Sequence, residues 1–502
     1  MRLAKQRLLL GATFAAALAV NVLPLINPLL LGDDFEILAR SWTWERTQTK
    51  LWEPQNEHAM PLGRLSTRGL ILLAGRASWL PLVTAIQGPM AQLTAMALLY
   101  LFVRRELGDQ RLAVIATAIF GVTSIYHQAI YWFAASFSVL ALDTLMLALL
   151  AAQAWRKTGR WRWIGACVVG TALAPAWFAS GILAGPLCSL YLLSCIPLDR
   201  GWQNSKSETR NPRCGHSGHS GPSMQGLSTS DFGFRISDLA ALLQSAIPLV
   251  GTAAFLAVSL PRTLEYIMHL EHYESRTAAE SFNLCIGAGF TGRSLIDNLC
   301  LGQFGVSAVR CPVWLVPICL LLVAAVGFWW WRTASTRRLI ILGLGFIFSS
   351  YLLVYSARAK WDYDVDGFSD AGWSRYHLLP QLGLALIVVG GMRTGVPLAG
   401  RKLLLFCLML PALFALHFPR VSVQHENRDT SQQQEVLRLI EEMDARCRRW
   451  AIDADTAKSA LDRRLIPLGS DKESAWEFLR GSDDPRPVSV EEARRLLEIS
   501  SE

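Results

Sequence analysis

Two neighbouring carboxylates follow the first long apolar stretch of this chain. Residues 8 to 31 are almost wholly apolar, and Asp33 and Asp34 come directly after them. A stretch of that length can cross a bilayer, so both aspartates are expected where hydrocarbon meets water. Carboxylates at that depth are costly and mark functional sites in membrane proteins. Each is therefore a candidate general base, although Asp34 is also suited to cap the helix that follows.

The same loop carries a second set of polar residues. The segment Asn56-Glu57-His58-Ala59-Met60-Pro61-Leu62 precedes Arg64 and an amphipathic stretch at residues 65 to 79. That stretch predicts a helix lying at the membrane interface. Glu57, His58 and Arg64 are candidate residues for binding a substrate or its phosphate.

A cationic motif opens a late apolar stretch. Ser374-Arg375-Tyr376-His377 leads directly into the apolar residues that follow it. Arg375, Tyr376 and His377 are candidate residues for substrate or phosphate binding, because an arginine can pair with phosphate through two parallel hydrogen bonds. The simpler interpretation is that Arg375 snorkels at the end of one span and that the two aspartates only end another.

The composition is that of a polytopic membrane protein. Of the 502 residues, 52% are hydrophobic and only 18% are charged, which excludes an ordinary soluble enzyme. The net charge of +8 is carried by short Lys- and Arg-containing segments between apolar runs. Such segments orient membrane spans with their basic ends in the cytoplasm. We therefore interpret the positive charge as a signal that orients the membrane spans, and we expect no nucleic-acid partner.

These runs predict an all-α fold with about eleven transmembrane helices, a cytoplasmic N-terminus and an exterior C-terminus. Pro175, Gly181 and Pro186 interrupt the longest run and predict a hairpin that turns at residues 176 to 180. The arrangement places the aspartate pair and the late arginine on the exterior face of an inner, or plasma, membrane. The expected spans are residues 8–31, 80–103, 112–128, 131–154, two within 163–197, 237–260, 311–331, 339–356, 376–392 and 402–418.

Polar segments divide the chain into two predicted domains. Residues 1 to 418 form the membrane domain, and residues 419 to 502, with their periodic apolar positions, predict a small exterior helical domain. The loops expected within the membrane domain are a first exterior loop at 32–78, a flexible cytoplasmic loop at 198–236, and exterior loops at 261–310 and 357–375.

A carboxylate and an arginine on the same membrane face could together catalyse the transfer of a sugar. Transfer of a sugar from a lipid phosphate needs a base that deprotonates the acceptor and cations that hold the departing phosphate. Asp33 or Asp34 suits the first task. Arg375 suits the second, with Tyr376 or His58 as a further donor.

These motifs resemble those of the GT-C superfamily of polytopic glycosyltransferases, particularly the bacterial members similar to protein O-mannosyltransferases and aminoarabinose transferases. The resemblance covers about residues 1 to 418. The matching motifs are Asp33-Asp34 in the first exterior loop, Glu57-His58-Ala59-Met60-Pro61-Leu62 before an interfacial helix, and Ser374-Arg375-Tyr376 at the start of a late span.

The resemblance implies a polyprenyl-phosphate-linked sugar as donor, inversion at the anomeric carbon, and a first-loop aspartate as the base. The acceptor would be a glycan, lipid or protein of the cell envelope, and membrane lipid would surround the protein. His58 or another cation would make the phosphate contact that a lysine often makes in relatives. No metal ligand or cofactor is assigned, since some relatives hold a divalent cation with first-loop carboxylates and others do not.

Two other classes of function remain open. A lipid or solute transporter would also be polytopic, but it should contain inverted repeats, which the sequence does not display. A polymerase or ligase of surface polysaccharide could use the long loop at 261–310, although the acidic first loop would then be unexplained. A scaffold without catalytic activity is the remaining alternative.

Overall fold

The residues that the computed structural model describes form fifteen α-helices, one five-residue 3₁₀-helix and one π-helix, and they form no β-sheet. Outside these residues lie the predicted C-terminal domain, the predicted span at 311–331, and nearly all of the predicted loops at 198–236 and 357–375. The described residues are 2–22, 25, 28, 30, 33–55, 59–76, 79–195, 236–269, 284–300, 303, 334–358, 375–394, 409–415 and 417.

The α-helices are numbered here in chain order. They are α1 (Arg2–Asn21), α2 (Asp33–Ser41), α3 (Trp44–Thr49), α4 (Pro61–Ala74), α5 (Leu80–Leu107), α6 (Gln110–Gly121), α7 (Gln128–Tyr131), α8 (Phe133–Thr158), α9 (Trp161–Trp177), α10 (Ala184–Leu193), α11 (Ile236–Ala246), α12 (Pro248–His269), α13 (Leu284–Arg293), α14 (Ala334–Arg358) and α15 (Leu378–Thr394). The 3₁₀-helix is Ala179–Leu183 and the π-helix is Ser294–Cys300.

Three of the described helices are long and apolar enough to cross a membrane. They are α5 with 28 residues, α8 with 26 residues, and residues 334 to 356 of α14. A helix needs about 20 residues to cross a hydrocarbon core about 30 Å thick, because each residue adds about 1.5 Å. These helices indicate a multi-pass membrane protein.

The first apolar stretch is not one uninterrupted helix. It was expected to span residues 8 to 31, but α1 ends at Asn21. The side-chain amide of Asn21 donates to the carbonyl of Ala17 at 2.8 Å, and Pro24 follows soon after in the sequence. A proline lacks the amide hydrogen that would continue a helix and disfavours helical backbone at the preceding residue.

Helix α8 lies at the centre of the bundle. It packs mainly against α9 and α5, and also against α7, α10 and α2. Its core includes Leu142, Met146 and Leu149, all of which are buried. Because so many elements meet on α8, groups from distant parts of the sequence can approach one another at its ends.

The helical hairpin predicted within residues 163–197 is interrupted at Phe178, inside the turn predicted at residues 176 to 180. Helix α9 ends at Trp177, and Phe178 adopts an extended backbone before the 3₁₀-helix begins. A Cβ atom on Gly181 would lie 2.2 Å from the carbonyl of Ala174, so the turn packs tightly against the end of α9. Only a residue without a side chain fits there.

Two glycines bring α14 and α15 into close contact. A Cβ atom on Gly343 would lie 2.6 Å from the carbonyl oxygen of Gly383, and one on Gly383 would lie 2.5 Å from that of Gly343. Small residues at a contact between membrane helices let their backbones approach closely.

Helix α4 of the first loop begins and ends earlier than the amphipathic pattern predicted. It starts at Pro61, whose fixed φ suits the first helical position, and it ends before Gly75, which has a φ of 67°. Its buried face carries Arg64 and Thr67, while Leu72 and Leu73 are 65% and 74% exposed. An outward apolar face and an inward polar face suit a helix that lies against lipid at the membrane surface.

Candidate functional site

Asp34 contacts the start of the central helix. The residue is fully buried, and its Oδ1 accepts a hydrogen bond from the backbone amide of Ala134 at 2.7 Å. Ala134 is the second residue of α8, and the first amides of a helix have no acceptor within that helix. A carboxylate there also interacts favourably with the helix dipole. Asp34 was expected to cap the helix that follows it, but it lies in the first turn of α2 and caps α8 instead.

Apolar packing holds α2 across this end of α8. Ile37 and Leu38 of α2 are buried in one cluster with Phe133 and Phe137 of α8. Asp33 is the first residue of α2 and therefore belongs to the same region of the backbone. The Asp33 side chain lies outside the described part of the structure.

Arg375 reaches the same helix end from the late motif. The Cζ atom of its guanidinium lies 4.6 Å from the ring centroid of Trp132 and 4.8 Å from that of Tyr376. Its Nη2 donates to the Tyr376 hydroxyl at 3.2 Å, and its backbone amide donates to Oε1 of Gln128 at 3.5 Å. Aromatic faces attract a guanidinium and fix its orientation.

The two predicted groups therefore meet at the first turn of α8. Trp132 is the residue immediately before α8, and Ala134 is its second residue. We call the group formed by Asp34, Trp132, Ala134, Arg375 and Tyr376 the α8 N-terminal site. The amides of a helix N-terminus favour anions, and the charge of Arg375 adds to this preference.

His377 is turned towards α14. It is buried, and its Nδ1 is hydrogen-bonded to the Tyr351 hydroxyl at 2.9 Å. That hydroxyl also lies 3.4 Å from the carbonyl oxygen of Ser294. The described contacts of His377 thus attach the start of α15 to α14, whereas its predicted role in binding substrate stays a prediction.

Arg64 is hydrogen-bonded to the backbone of the first loop. Its side chain is fully buried, and its Nη2 donates to the carbonyl oxygen of Glu53 at 2.8 Å. Nη1 of Arg40 donates to the carbonyl oxygen of Pro54 at 2.8 Å and lies 3.2 Å from the Glu53 carboxylate. These contacts position the chain just before Glu57 and His58, which lie outside the described residues.

The predicted set omitted Gln128 and Trp132, which both contact Arg375. Their neighbours are also polar or aromatic: His127 is buried, has its Nδ1 3.1 Å from Oδ1 of Asn21, and lies with its ring tilted against that of Tyr131. The available signal was the run of aromatic and polar residues directly before a long apolar stretch, which is typical of a membrane interface.

A metal site is not formed by the residues that the structure describes, where no three His, Cys, Asp or Glu side chains come together. The carboxylate of Asp33 and the side chains of Glu57 and His58 are outside that set. The divalent-cation alternative therefore stays a prediction.

Comparison with known proteins assigns no family. The chain matches no protein-family model, and no curated protein matches it at a significant level. The geometry of the α8 N-terminal site is therefore the ground for a functional assignment.

Proposed function

We propose that this chain is a GT-C-like membrane glycosyltransferase. It moves a sugar from a polyprenyl-phosphate donor to a glycan, lipid or protein of the cell envelope at the exterior face. The observation that carries the proposal is that Asp34 and Arg375, from opposite ends of the membrane domain, both contact the first turn of α8. This reaction needs a base and an anion-binding region, and an aspartate and an arginine that contact one helix N-terminus suit both needs.

The two aspartates take different roles in this proposal. An oxygen of Asp34 already accepts the backbone amide of Ala134, so this carboxylate is engaged in holding α2 against α8. Asp34 is then a positioning residue that fixes the start of α2. Asp33 is the general base: it takes the proton of the acceptor hydroxyl as the acceptor oxygen bonds to the anomeric carbon. The bond from that carbon to the phosphate oxygen breaks on the opposite face, which inverts the configuration.

The cationic side of the site receives the phosphate. Negative charge grows on the phosphate oxygen as the bond to the sugar breaks, and preorganised donors lower the energy of that state. Arg375, held by the rings of Trp132 and Tyr376, supplies such a donor. Glu57 and His58 remain candidates for further contacts with the donor.

The paths of α5 and α8 support the proposed topology of about eleven spans with the site on the exterior. Gln87 of α5 donates to Ser136 of α8 near the start of both helices, and Gln153 of α8 donates to the carboxylate of Glu106 near their ends. The two helices therefore run parallel, which requires the chain between them to cross back. Both end in basic residues, as expected of cytoplasmic ends, so their N-terminal ends and the first loop would face outward.

The decisive experiment measures transfer in membranes. Vesicles containing the protein are given radiolabelled polyprenyl-phosphate sugars and a pool of cell-envelope acceptors. We expect Asp33→Asn and Arg375→Ala to abolish labelling of the acceptor. Arg162→Ala is the matched control, since Arg162 also lies over a tryptophan ring, that of Trp163, at 5.1 Å, but on a helix start remote from the site.

Transfer that survives both Asp33→Asn and Arg375→Ala would exclude the proposed mechanism. Labelled donor that crosses the membrane without being covalently attached to an acceptor would favour the transporter alternative instead.

A further inference from the structure

Asp143 lies in the middle of α8 and takes no part in the α8 N-terminal site. It is only 7% exposed, and its Oδ1 has no hydrogen-bond partner among the described residues. Buried polar atoms nearly always have a partner, so this exception requires an explanation. An ionisable residue inside a membrane span often marks a functional site.

The described charged groups of the helices packed against α8 lie near its two ends. Asp34 of α2 binds Ala134, nine residues before Asp143, and Glu106 of α5 binds Gln153, ten residues after it. Because a helix rises about 1.5 Å per residue, these contacts lie about 14 Å and about 15 Å away along the axis. The described arginines of α5 and α9 also lie at the basic ends of those helices.

The uncharged ionisable side chains of these helices contact other partners. Tyr131 of α7 contacts the His127 ring at a tilt, and Tyr100 of α5 lies beneath the guanidinium of Arg104. Cys167 of α9 and Cys188 of α10 contact each other, and Tyr191 of α10 donates to Glu106. The 3₁₀-helix Ala179–Leu183 contains no ionisable residue.

Glu106 illustrates what stabilises a buried carboxylate in this fold. Arg156 and Arg338 form ion pairs with it at 2.9 Å and 2.6 Å, and Gln153 and Tyr191 donate hydrogen bonds at 2.9 Å and 2.8 Å. These partners replace the water that the carboxylate loses. The described surroundings of Asp143 provide no basic group, so a negative charge there would be very unfavourable.

We propose that Asp143 is a proton-binding site inside the membrane: a neutral carboxylic acid that a lipophilic carbodiimide modifies. The site goes beyond the proposed glycosyl transfer and does not depend on it. Leu147, one helical turn further along α8, is 54% exposed, so Asp143 lies close to a surface that faces lipid. A lipophilic reagent can approach it from the hydrocarbon.

The reaction of the carboxylic acid with the carbodiimide needs no further reactant. The carboxylic acid adds across one C=N bond of the carbodiimide: its oxygen bonds to the central carbon and its proton moves to a nitrogen. The acyl group then migrates from oxygen to nitrogen and gives a stable N-acylurea. No group leaves, and nothing is oxidised or reduced.

The experiment treats the full-length protein in membrane vesicles with dicyclohexylcarbodiimide and locates the adduct by peptide mass spectrometry. We expect an adduct on Asp143, none on Glu106, and loss of the adduct in Asp143→Asn. Glu106 is the control within the same molecule, because it is equally buried but paired with two arginines. The wild-type comparison of these two residues decides the question even if Asp143→Asn does not accumulate.

An Asp143 peptide without adduct in native vesicles, together with modification of the same peptide after the protein is unfolded in detergent, would overturn the proposal. Equal modification of Glu106 and Asp143 in native vesicles would overturn it as well, because the two environments would then not differ in the way inferred.

Discussion

The guanidinium of Arg375 lies over the ring of Trp132, with its Cζ atom 4.6 Å from the ring centroid. Trp132 immediately precedes α8, and Asp34 accepts the amide of Ala134 two residues later. The proposed phosphate-binding arginine and Asp34 of α2 therefore contact positions two residues apart at the start of α8.

Replacing Trp132 by leucine should weaken the binding of the lipid-phosphate donor. Loss of the cation–π contact removes about 1 kcal/mol of stabilisation, which corresponds to about fivefold weaker binding. Trp132→Phe should retain part of the effect. The KM for the donor in the transfer assay is the measurement, and Trp163→Leu, which removes the ring beneath Arg162, is the control. An unchanged KM in Trp132→Leu would show that the ring does not position Arg375.

Replacing Asp34 by alanine should lower both stability and transfer. The buried amide of Ala134 loses its acceptor, which costs about 1 to 2 kcal/mol of unfolding free energy, whereas asparagine keeps an acceptor oxygen and should cost less. Unfolding in detergent, followed by tryptophan fluorescence, measures the difference.

Asp109→Ala is the matched control for Asp34→Ala, because Asp109 caps α6 through the amides of Arg111 and Leu112. Asp109→Ala should lose a similar amount of unfolding free energy, but each molecule that remains folded should keep the wild-type transfer activity. Equal transfer per folded molecule in Asp34→Ala and Asp109→Ala would argue against a positioning role.

Replacing Arg64 by methionine should loosen the first loop. The carbonyl of Glu53 loses a charged donor in a partly buried setting, and we expect a cost of about 1 to 3 kcal/mol. Limited proteolysis should then cut residues 51 to 55 faster than in the wild type. Arg76→Met is the control, since Arg76 is exposed and lies two residues after the end of the same helix. If the two variants are cut equally fast, Arg64 does not brace this segment.

Replacing Glu106 by glutamine should destabilise the bundle far more than replacing Asp143 by asparagine. The first change leaves Arg156 and Arg338 without their carboxylate, at a cost of about 3 to 5 kcal/mol. The second replaces a neutral acid by a group of similar shape and should cost less than about 1 kcal/mol. Thermal unfolding of both variants in detergent tests this order. The reverse order would mean that Asp143 is held as an anion.

The positions of the long helices followed from the sequence because apolar length is a local property. Runs expected at 80–103 and 131–154 correspond to α5 and α8, and the break at Phe178 lies within the predicted turn. The end of α1 at Asn21 was missed, since apolar length alone does not show where a helix stops within an apolar run.

The partners of individual polar residues could not be predicted in the same way. Nothing in the spacing of Asp34 indicates that it binds the amide of Ala134, one hundred residues later, because that contact depends on how α2 packs across α8. Arg64 was expected to bind substrate, yet its described contact is with a carbonyl of the first loop, because that loop folds back over α4. Trp132 escaped notice because an aromatic residue before a span has an ordinary explanation as a membrane anchor.

The contact between Gly343 and Gly383 has a mechanical consequence. Because neither position has room for a Cβ atom, α14 and α15 cannot slide past one another without a backbone clash. They form one packed unit, and Arg375 and His377 lie directly before its second helix, so a displacement of this unit relative to α8 would carry Arg375 away from Trp132.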